Sequence, residues 1–190
     1  MRFWNNPRVL MLIIAILCAS LLGASYLYFY SPVTTVILVR HAEKNIEPNN
    51  PNPTLSPAGE QRAQELERML ANSGITAIYV TQYQRTQQTG QPLANRLGVK
   101  SIQVESSNPQ EVVRQIKASR ADRSILVVGH NNTVPAIVAG LGGGDYPVIP
   151  ETEYDNMFVV TLYRFGKAKT IQLKYGSPIP AAGNQMMTTP

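Results

Sequence analysis

Two stretches decide the fold: residues 34–41, TTVILVRH, and residues 124–130, SILVVGH. Each is an almost unbroken apolar run of strand length that closes on a histidine. A strand that is apolar at nearly every position, rather than at alternate ones, is buried on both faces, as in a parallel sheet covered by helices. Working outward, ITAIYVT (75–81) and SIQVE (101–105) read as further strands. MFVVTLYRF (157–165) and KTIQLKYG (169–176) read as a final pair joined by a turn at Gly166. Helical signals recur between them. Ser56-Pro57 is an N-cap followed by proline at the first helical position, with Ala63, Leu66, Met69 and Leu70 on one face and Gly74 as the stop. Residues 85–97 read as helix with a break near Gly90 and Pro92. Asn108-Pro109-Gln110-Glu111 has the form of a capping box ahead of Val112, Val113 and Ile116. Residues 132–141 form a short helix that Gly142-Gly143-Gly144 ends. Residues 45–54, NIEPNNPNPT, are loop. The alternation predicts an α/β fold over residues 31–176, a three-layer α/β/α arrangement with a mostly parallel central sheet, followed by a loose tail, 177–190.

Ahead of this domain, residues 9–30, VLMLIIAILCASLLGASYLYFY, contain no charged side chain. As a helix the run is about 33 Å long, enough to cross a hydrocarbon core. Tyr26, Tyr28, Phe29 and Tyr30 close it like an interfacial aromatic belt. A short basic N-terminus, residues 1–8 with Arg2 and Arg8, precedes it. The reading is one transmembrane anchor with the N-terminus cytoplasmic and the domain outside the cytoplasm. A cleaved signal peptide is the rival, with Gly23-Ala24-Ser25 as its processing site and a secreted domain as its consequence. A buried core helix is the blandest alternative. Cys18 reads as a plain membrane-buried residue, since bulky Leu17 precedes it where lipid attachment favours small residues.

Composition removes other classes. The chain has 190 residues, 44% hydrophobic and 15% charged, with net charge +5. That suits one domain with a real core and rules out a disordered chain. One cysteine excludes an internal disulfide framework and a cysteine-based zinc cluster. Residues 31–190 carry 15 basic against 12 acidic side chains, too mild a balance to indicate nucleic acid.

In an open parallel sheet, ligands bind beyond the carboxyl ends of the strands. His41 and His130, the chain's two histidines, both stand at such ends. Either alone is compatible with a satisfied histidine at a strand end; the two together indicate one shared site. Arg40 adjoins His41, and Arg85 follows the second strand in TQYQRT. A guanidinium matches phosphate oxygens in pairs. Asn131 and Asn132 open the next helix, as caps or beside an anion held by backbone N–H groups. Two histidines and two arginines suit phosphoryl transfer through a histidine: imidazole attacks phosphorus, and the cations hold the oxygens. No cofactor and no metal is called for.

The segments Val39-Arg40-His41-Ala42-Glu43-Lys44, Leu55-Ser56-Pro57-Ala58-Gly59-Glu60, Arg85-Thr86-Gln87-Gln88-Thr89 and Val128-Gly129-His130-Asn131 together resemble the histidine phosphatase superfamily. The likeness is to its phosphoglycerate mutase-like branch, in the short form of the phosphohistidine phosphatases. It implies His41 as the phosphorylated nucleophile, with Arg40, Arg85 and His130 completing a phosphate pocket that Asn131 borders. Two departures matter. Ala42 stands where many members have glycine, and Asn131 stands where acid phosphatases place an aspartate proton donor. The insertion that carries a glutamate in the mutase-like branch is nearly missing. Glu105 is the carboxylate assigned to proton transfer, with a solvated strand-end role as its alternative; Glu43 reads as a positioning residue.

The resulting expectation is a membrane-anchored phosphatase acting on a phosphorylated small molecule or phosphoprotein through a phosphohistidine on His41. The alternative is a non-catalytic module that binds a phosphate ligand in the same pocket. A mutase, which needs a phosphorylated cofactor and a moveable lid, finds little room in so short a chain.

Overall fold

The computed structural model describes residues 6–30, 32–118, 123–164 and 167–177. Helix α1 (Pro7–Tyr30) leads into strand β1 (Pro32–Arg40). There follow α2 (Pro57–Leu70), β2 (Ile75–Val80), α3 (Gln84–Leu97), β3 (Ile102–Gln103), α4 (Pro109–Ala118), β4 (Arg123–Gly129), α5 (Thr133–Gly140), β5 (Asn156–Tyr163) and β6 (Ala168–Lys174). Among the described residues the strands form one sheet in the order β3-β2-β4-β1-β5-β6. β1 to β4 are mutually parallel, while β5 and β6 add antiparallel pairs at one side. The layered, mostly parallel fold read from the sequence is the one observed.

β1 shows why the apolar run is unbroken. Val36 and Leu38 enter one core with α4 and α5, and Ile37 and Val39 enter the other with α2 and α3. Successive side chains of a strand point to opposite faces, so a strand covered on both sides must be apolar at every position.

Three local readings change. β3 is only Ile102–Gln103, because pairing with β2 covers Tyr79 and Val80 alone before the chain turns into α4. The short helix runs Thr133–Gly140, inside the expected 132–141. α3 is continuous through Pro92 rather than broken there. Proline in a helix interior removes one hydrogen bond and costs about 3 kcal/mol. Burial of Leu93 and Ala94 against the sheet offsets that cost, and Gly90 lets the helix approach Ile78, Val80 and Val128. The turn at Gly166, the basic start with Arg2, and the tail from Pro178 lie outside the described residues.

α1 stands apart from both cores. None of its apolar window is buried, and its mean hydropathy is 2.4, which removes the core-helix reading. It is long and apolar enough to cross a membrane.

The segment Leu55–Glu60 is shaped by one close contact. Ser56 caps α2, accepting the Gly59 N–H at 3.3 Å, while the Ser56 N–H donates to the Glu43 carbonyl at 2.9 Å. A Cβ on Gly59 would collide with that same Glu43 carbonyl. Gly59→Ala is therefore expected to destabilise the domain by about 1–3 kcal/mol, as overpacking does. A thermal-unfolding midpoint in detergent equal to that of the unsubstituted chain would contradict this.

Candidate active site

β1 and β4 end side by side. Arg40 pairs with Gly129, and the His41 N–H donates to the Gly129 carbonyl at 2.9 Å. His41 and His130 therefore leave the sheet at one point, their rings edge to face with centroids 5.4 Å apart. Gly129 is needed at this turn, since a Cβ there would lie 2.9 Å from Thr133 Oγ1 and 3.0 Å from the Val134 side chain. The first turn of α3 brings in Arg85. Together Arg40, His41, Arg85 and His130 line a cleft of about 350 Å³, which Lys44, Tyr83, Ser106, Ser107, Asn131 and Glu151 also border. The start of α5, Asn132 and Thr133, closes one side and turns the positive end of the helix dipole toward the cleft.

Hydrogen bonds set the state of each ring. Nδ1 of His41 lies 2.8 Å from the Ala42 carbonyl oxygen. A carbonyl only accepts, so Nδ1 carries the proton, and Nε2 is the bare nitrogen of the neutral ring. Ala42 is pinned in turn: its N–H donates to Thr89 Oγ1 at 2.9 Å, and the Thr89 hydroxyl donates to the Arg85 carbonyl at 2.6 Å. A hydroxyl relay holds His130. The Thr86 hydroxyl donates its one proton to the Tyr83 carbonyl at 2.8 Å, so it accepts from the Thr81 hydroxyl at 3.0 Å. Thr81 Oγ1 then accepts the Nε2–H of His130 at 3.0 Å.

Electrostatics favour neutral imidazoles. His41 is 4% exposed; burial first, then the charges of Arg40, His130 and Arg85, push its pKa down to about 3, against the opposing Ala42 bond. Burial first, then Arg85 and Arg40, push His130 down to about 4. Both rings are therefore unprotonated at neutral pH.

The arginines are held differently. Arg40 is 1% exposed. Its Nη1 donates to the carbonyls of Pro150, Glu151 and Glu153 at 2.8, 2.9 and 3.0 Å, and its Nη2 to Glu151 Oε2 at 2.6 Å. Its guanidinium also lies 4.2 Å over the Tyr154 ring. Arg85, half-buried, lies 4.2 Å over the Tyr83 ring. The Nε atoms of both are buried and lack a partner among the described residues, leaving two N–H donors unused.

The carboxylates are redistributed relative to the sequence reading. Glu105 is exposed and is not among the residues lining the histidine cleft; it borders a small apolar crevice with Tyr79, Val104 and Ile137. The chain turns just after the short β3, so Ser106 and Ser107, not Glu105, reach the cleft. Glu43 is tied to Arg62, which donates to it from Nε at 3.0 Å and from Nη2 at 2.8 Å. Arg62 also holds the Tyr175 carbonyl at 3.0 Å, so Glu43 fixes the loop after His41 to the end of the sheet. Glu151, absent from the sequence reading, is the carboxylate of the cleft, with Oε2 on Arg40 and Oε1 accepting from Asn131 Nδ2 at 2.7 Å. No local signal marks it, because its partner Arg40 lies 111 residues away. Asn132 caps α5 without a side-chain bond, and Asn131 spends its amide on Glu151. Thr81 was legible only as a strand-end residue and Thr86 only as a member of the Arg85–Thr89 segment, with no hold on His130 read for either.

Residues 36–108 match the profile of the histidine phosphatase superfamily, branch 1. The match includes Arg40, His41 and Arg85 and ends before His130 and Glu151. No curated protein sequence matches the chain. The fold is similar to that of the protein histidine phosphatase SixA solved with tungstate: TM-score 0.59, 19% identity, covering 74% of this chain and 96% of that one. It is also similar to that of a mycobacterial glucosyl-3-phosphoglycerate phosphatase solved with inorganic phosphate: TM-score 0.59, 13% identity, covering 76% of this chain and 98% of that one. Residues 36–108, which carry Arg40, His41 and Arg85 of the cleft, are thus similar to the histidine phosphatase superfamily, on a fold similar to that of these phosphatases.

Proposed function

We propose that the chain is a membrane-anchored phosphatase that hydrolyses a phosphomonoester or phosphoramidate in two steps through His41. The observation that carries this reading is the bare Nε2 of a neutral His41, fixed by the Nδ1–H bond to Ala42, in a cleft shared with His130, Arg40 and Arg85. In the first step Nε2 attacks phosphorus, the N–P bond forms, and the bond to the leaving oxygen or nitrogen breaks. Arg40, Arg85 and the N-terminus of α5 hold the phosphoryl oxygens, with the unused Nε–H groups as further donors, while neutral His130, its one N–H given to Thr81, borders the phosphate pocket. In the second step water attacks phosphorus and frees His41. These groups supply the charge, so we propose that no added divalent metal is needed and that a chelator leaves the rate unchanged. Both structural neighbours described above act on phosphorylated compounds by name, which supports a phosphate-bearing substrate.

Glu151 takes the proton-transfer role that the sequence assigned to Glu105. A phosphate dianion arriving at Arg40 competes with the Glu151 carboxylate for Nη2 and frees the carboxyl group to face the leaving atom. The acid then protonates the leaving atom, and the carboxylate recovers a proton from the attacking water. α1 fixes the domain to the bilayer, with the domain outside the cytoplasm; processing of α1 as a signal segment is the second reading, decided by the N-terminal sequence of the mature chain.

One observation favours the non-catalytic alternative: both Nη atoms of Arg40 are already engaged, Nη1 by three carbonyls and Nη2 by the Glu151 carboxylate. Under that reading vanadate binds and no phosphoester on a broad panel turns over.

Three measurements test the catalytic reading. His41→Ala lowers turnover of an aryl phosphate by at least ~10³-fold, the scale of losing a covalent nucleophile, and abolishes an acid-labile phosphoryl label. Unchanged turnover would refute the assignment. Glu151→Gln slows alkyl phosphates, whose leaving groups need a proton, far more than aryl phosphates with good leaving groups; equal slowing of both would remove Glu151 as the acid. The pH dependence has a definite sign. Both histidines have folded pKa values, about 3 and about 4, below the ordinary 6.5, so the unfolded chain binds more protons between these limits. Their contribution to stability is full above pH 6.5 and is lost progressively as the pH falls, to about 4 for His130 and about 3 for His41. His41→Asn flattens that acid slope in denaturant unfolding; a slope unchanged by the substitution would refute the neutral buried ring.

A further inference from the structure

The strand directions give the domain two unlike poles. β1 begins two residues after α1 ends and reaches Arg40 over nine residues, a rise of about 30 Å. The cleft thus opens at the end of the domain far from α1. β1 to β4 are parallel, so α2, α3 and α4, each linking two of them, run back toward the α1 end. Their last turns carry Arg68, Lys117 and Arg96, the last paired with Glu67 at 3.1 Å. β4 starts at the same pole with Arg123, and Arg164, one residue past β5, lays its guanidinium 4.3 Å over the ring of Tyr28 in α1. Lys167 follows and, with Lys117, lines a second cleft of about 360 Å³. At the opposite pole the first turns of α2 and α4 carry Glu60 and Glu111, and the cations there, Arg40, Lys44 and Arg85, face the cleft. Basic last turns also suit helix dipoles, but Arg123, Arg164 and Lys167 sit at strand ends, which lack such a dipole.

We propose that this basic pole rests on an anionic lipid surface beside the inserted α1, which holds the domain upright. The cleft then faces water about 30 Å from the bilayer, and its substrate is a phosphate group carried in the aqueous phase, not a lipid headgroup. Charge attraction to the bilayer decays within a screening length of about 10 Å, so it acts on the basic pole and not on the cleft. A lipid phosphate would reach His41 only by drawing its acyl chains out of the membrane. The inference rests on the anchored-phosphatase reading above.

The test uses the full chain in nanodiscs containing phosphatidylglycerol, with Cys18→Ser and one dye at either Thr76→Cys or Asn108→Cys. Thr76 is exposed at the start of β2, and Asn108 is exposed beside the cleft residue Ser107. Energy transfer to a headgroup acceptor is expected to be much stronger from position 76 than from 108. Lys117→Glu with Lys167→Glu, or discs of phosphatidylcholine alone, should narrow that difference, with the variant's folding checked by its hydrolysis of a soluble aryl phosphate. Equal transfer from both positions, or stronger transfer from 108, overturns the proposal. In discs that also hold phosphatidic acid, the soluble aryl phosphate is expected to be hydrolysed with no phosphate released from the lipid; release from the lipid overturns the substrate assignment. No release from either refutes the phosphatase reading, while the transfer measurement still decides the orientation. Loss of the chain from the discs on alkaline washing refutes the anchor.

Discussion

The in-register parallel pairing of β1 with β4 is the contact on which the rest of the molecule depends. Each strand delivers one histidine at its carboxyl end, and the pairing of Arg40 with Gly129 sets both rings at the same height. Slipping the register by one residue would turn every side chain of β1 to the other face. Val36 and Leu38 would then exchange cores with Ile37 and Val39, and His41 would no longer meet His130. Core packing and site geometry are therefore enforced by the same apolar alternation.

The cleft works against the ordinary tendency of buried cations to be expelled. Arg40 is almost wholly buried, and its charge is met by three carbonyls, one carboxylate and the face of Tyr154. A buried charge survives only when its hydrogen bonds are supplied this fully. The same burial, with the neighbouring arginines, keeps both imidazoles unprotonated, so the site combines fixed positive charge with neutral rings. The threonines around it, Thr81, Thr86 and Thr89, spend their hydroxyls on holding ring and backbone orientation rather than on solvent. Preorganised donors of this kind need no rearrangement as charge develops on a phosphoryl group.

The ends of the elements are also sorted along the strand axis. Parallel strands with returning helices place all strand carboxyl ends at one pole and the ends of α2, α3 and α4 at the other. In this chain the second pole adjoins α1 and carries Arg68, Arg96, Lys117 and Arg123.

The sequence by itself determined the doubly covered strands, the order of helices and strands, the apolar helix ahead of them and the His-Arg quartet. These features are local: apolar runs, a Ser-Pro cap and histidines at strand ends are written in neighbouring residues. Tertiary structure alone decided what depends on contacts between distant segments. Pro92 stays within a continuous helix because Gly90, Leu93 and Ala94 seat it on the sheet. Glu105 lost the cleft because β3 is two residues long, and Glu151 gained it because the loop before β5 folds over Arg40. The tautomer of His130 rests on Thr81 and Thr86, which lie 49 and 44 residues before it. Periodicity along a chain encodes burial, whereas which carboxylate meets which cation is set by how separate elements pack.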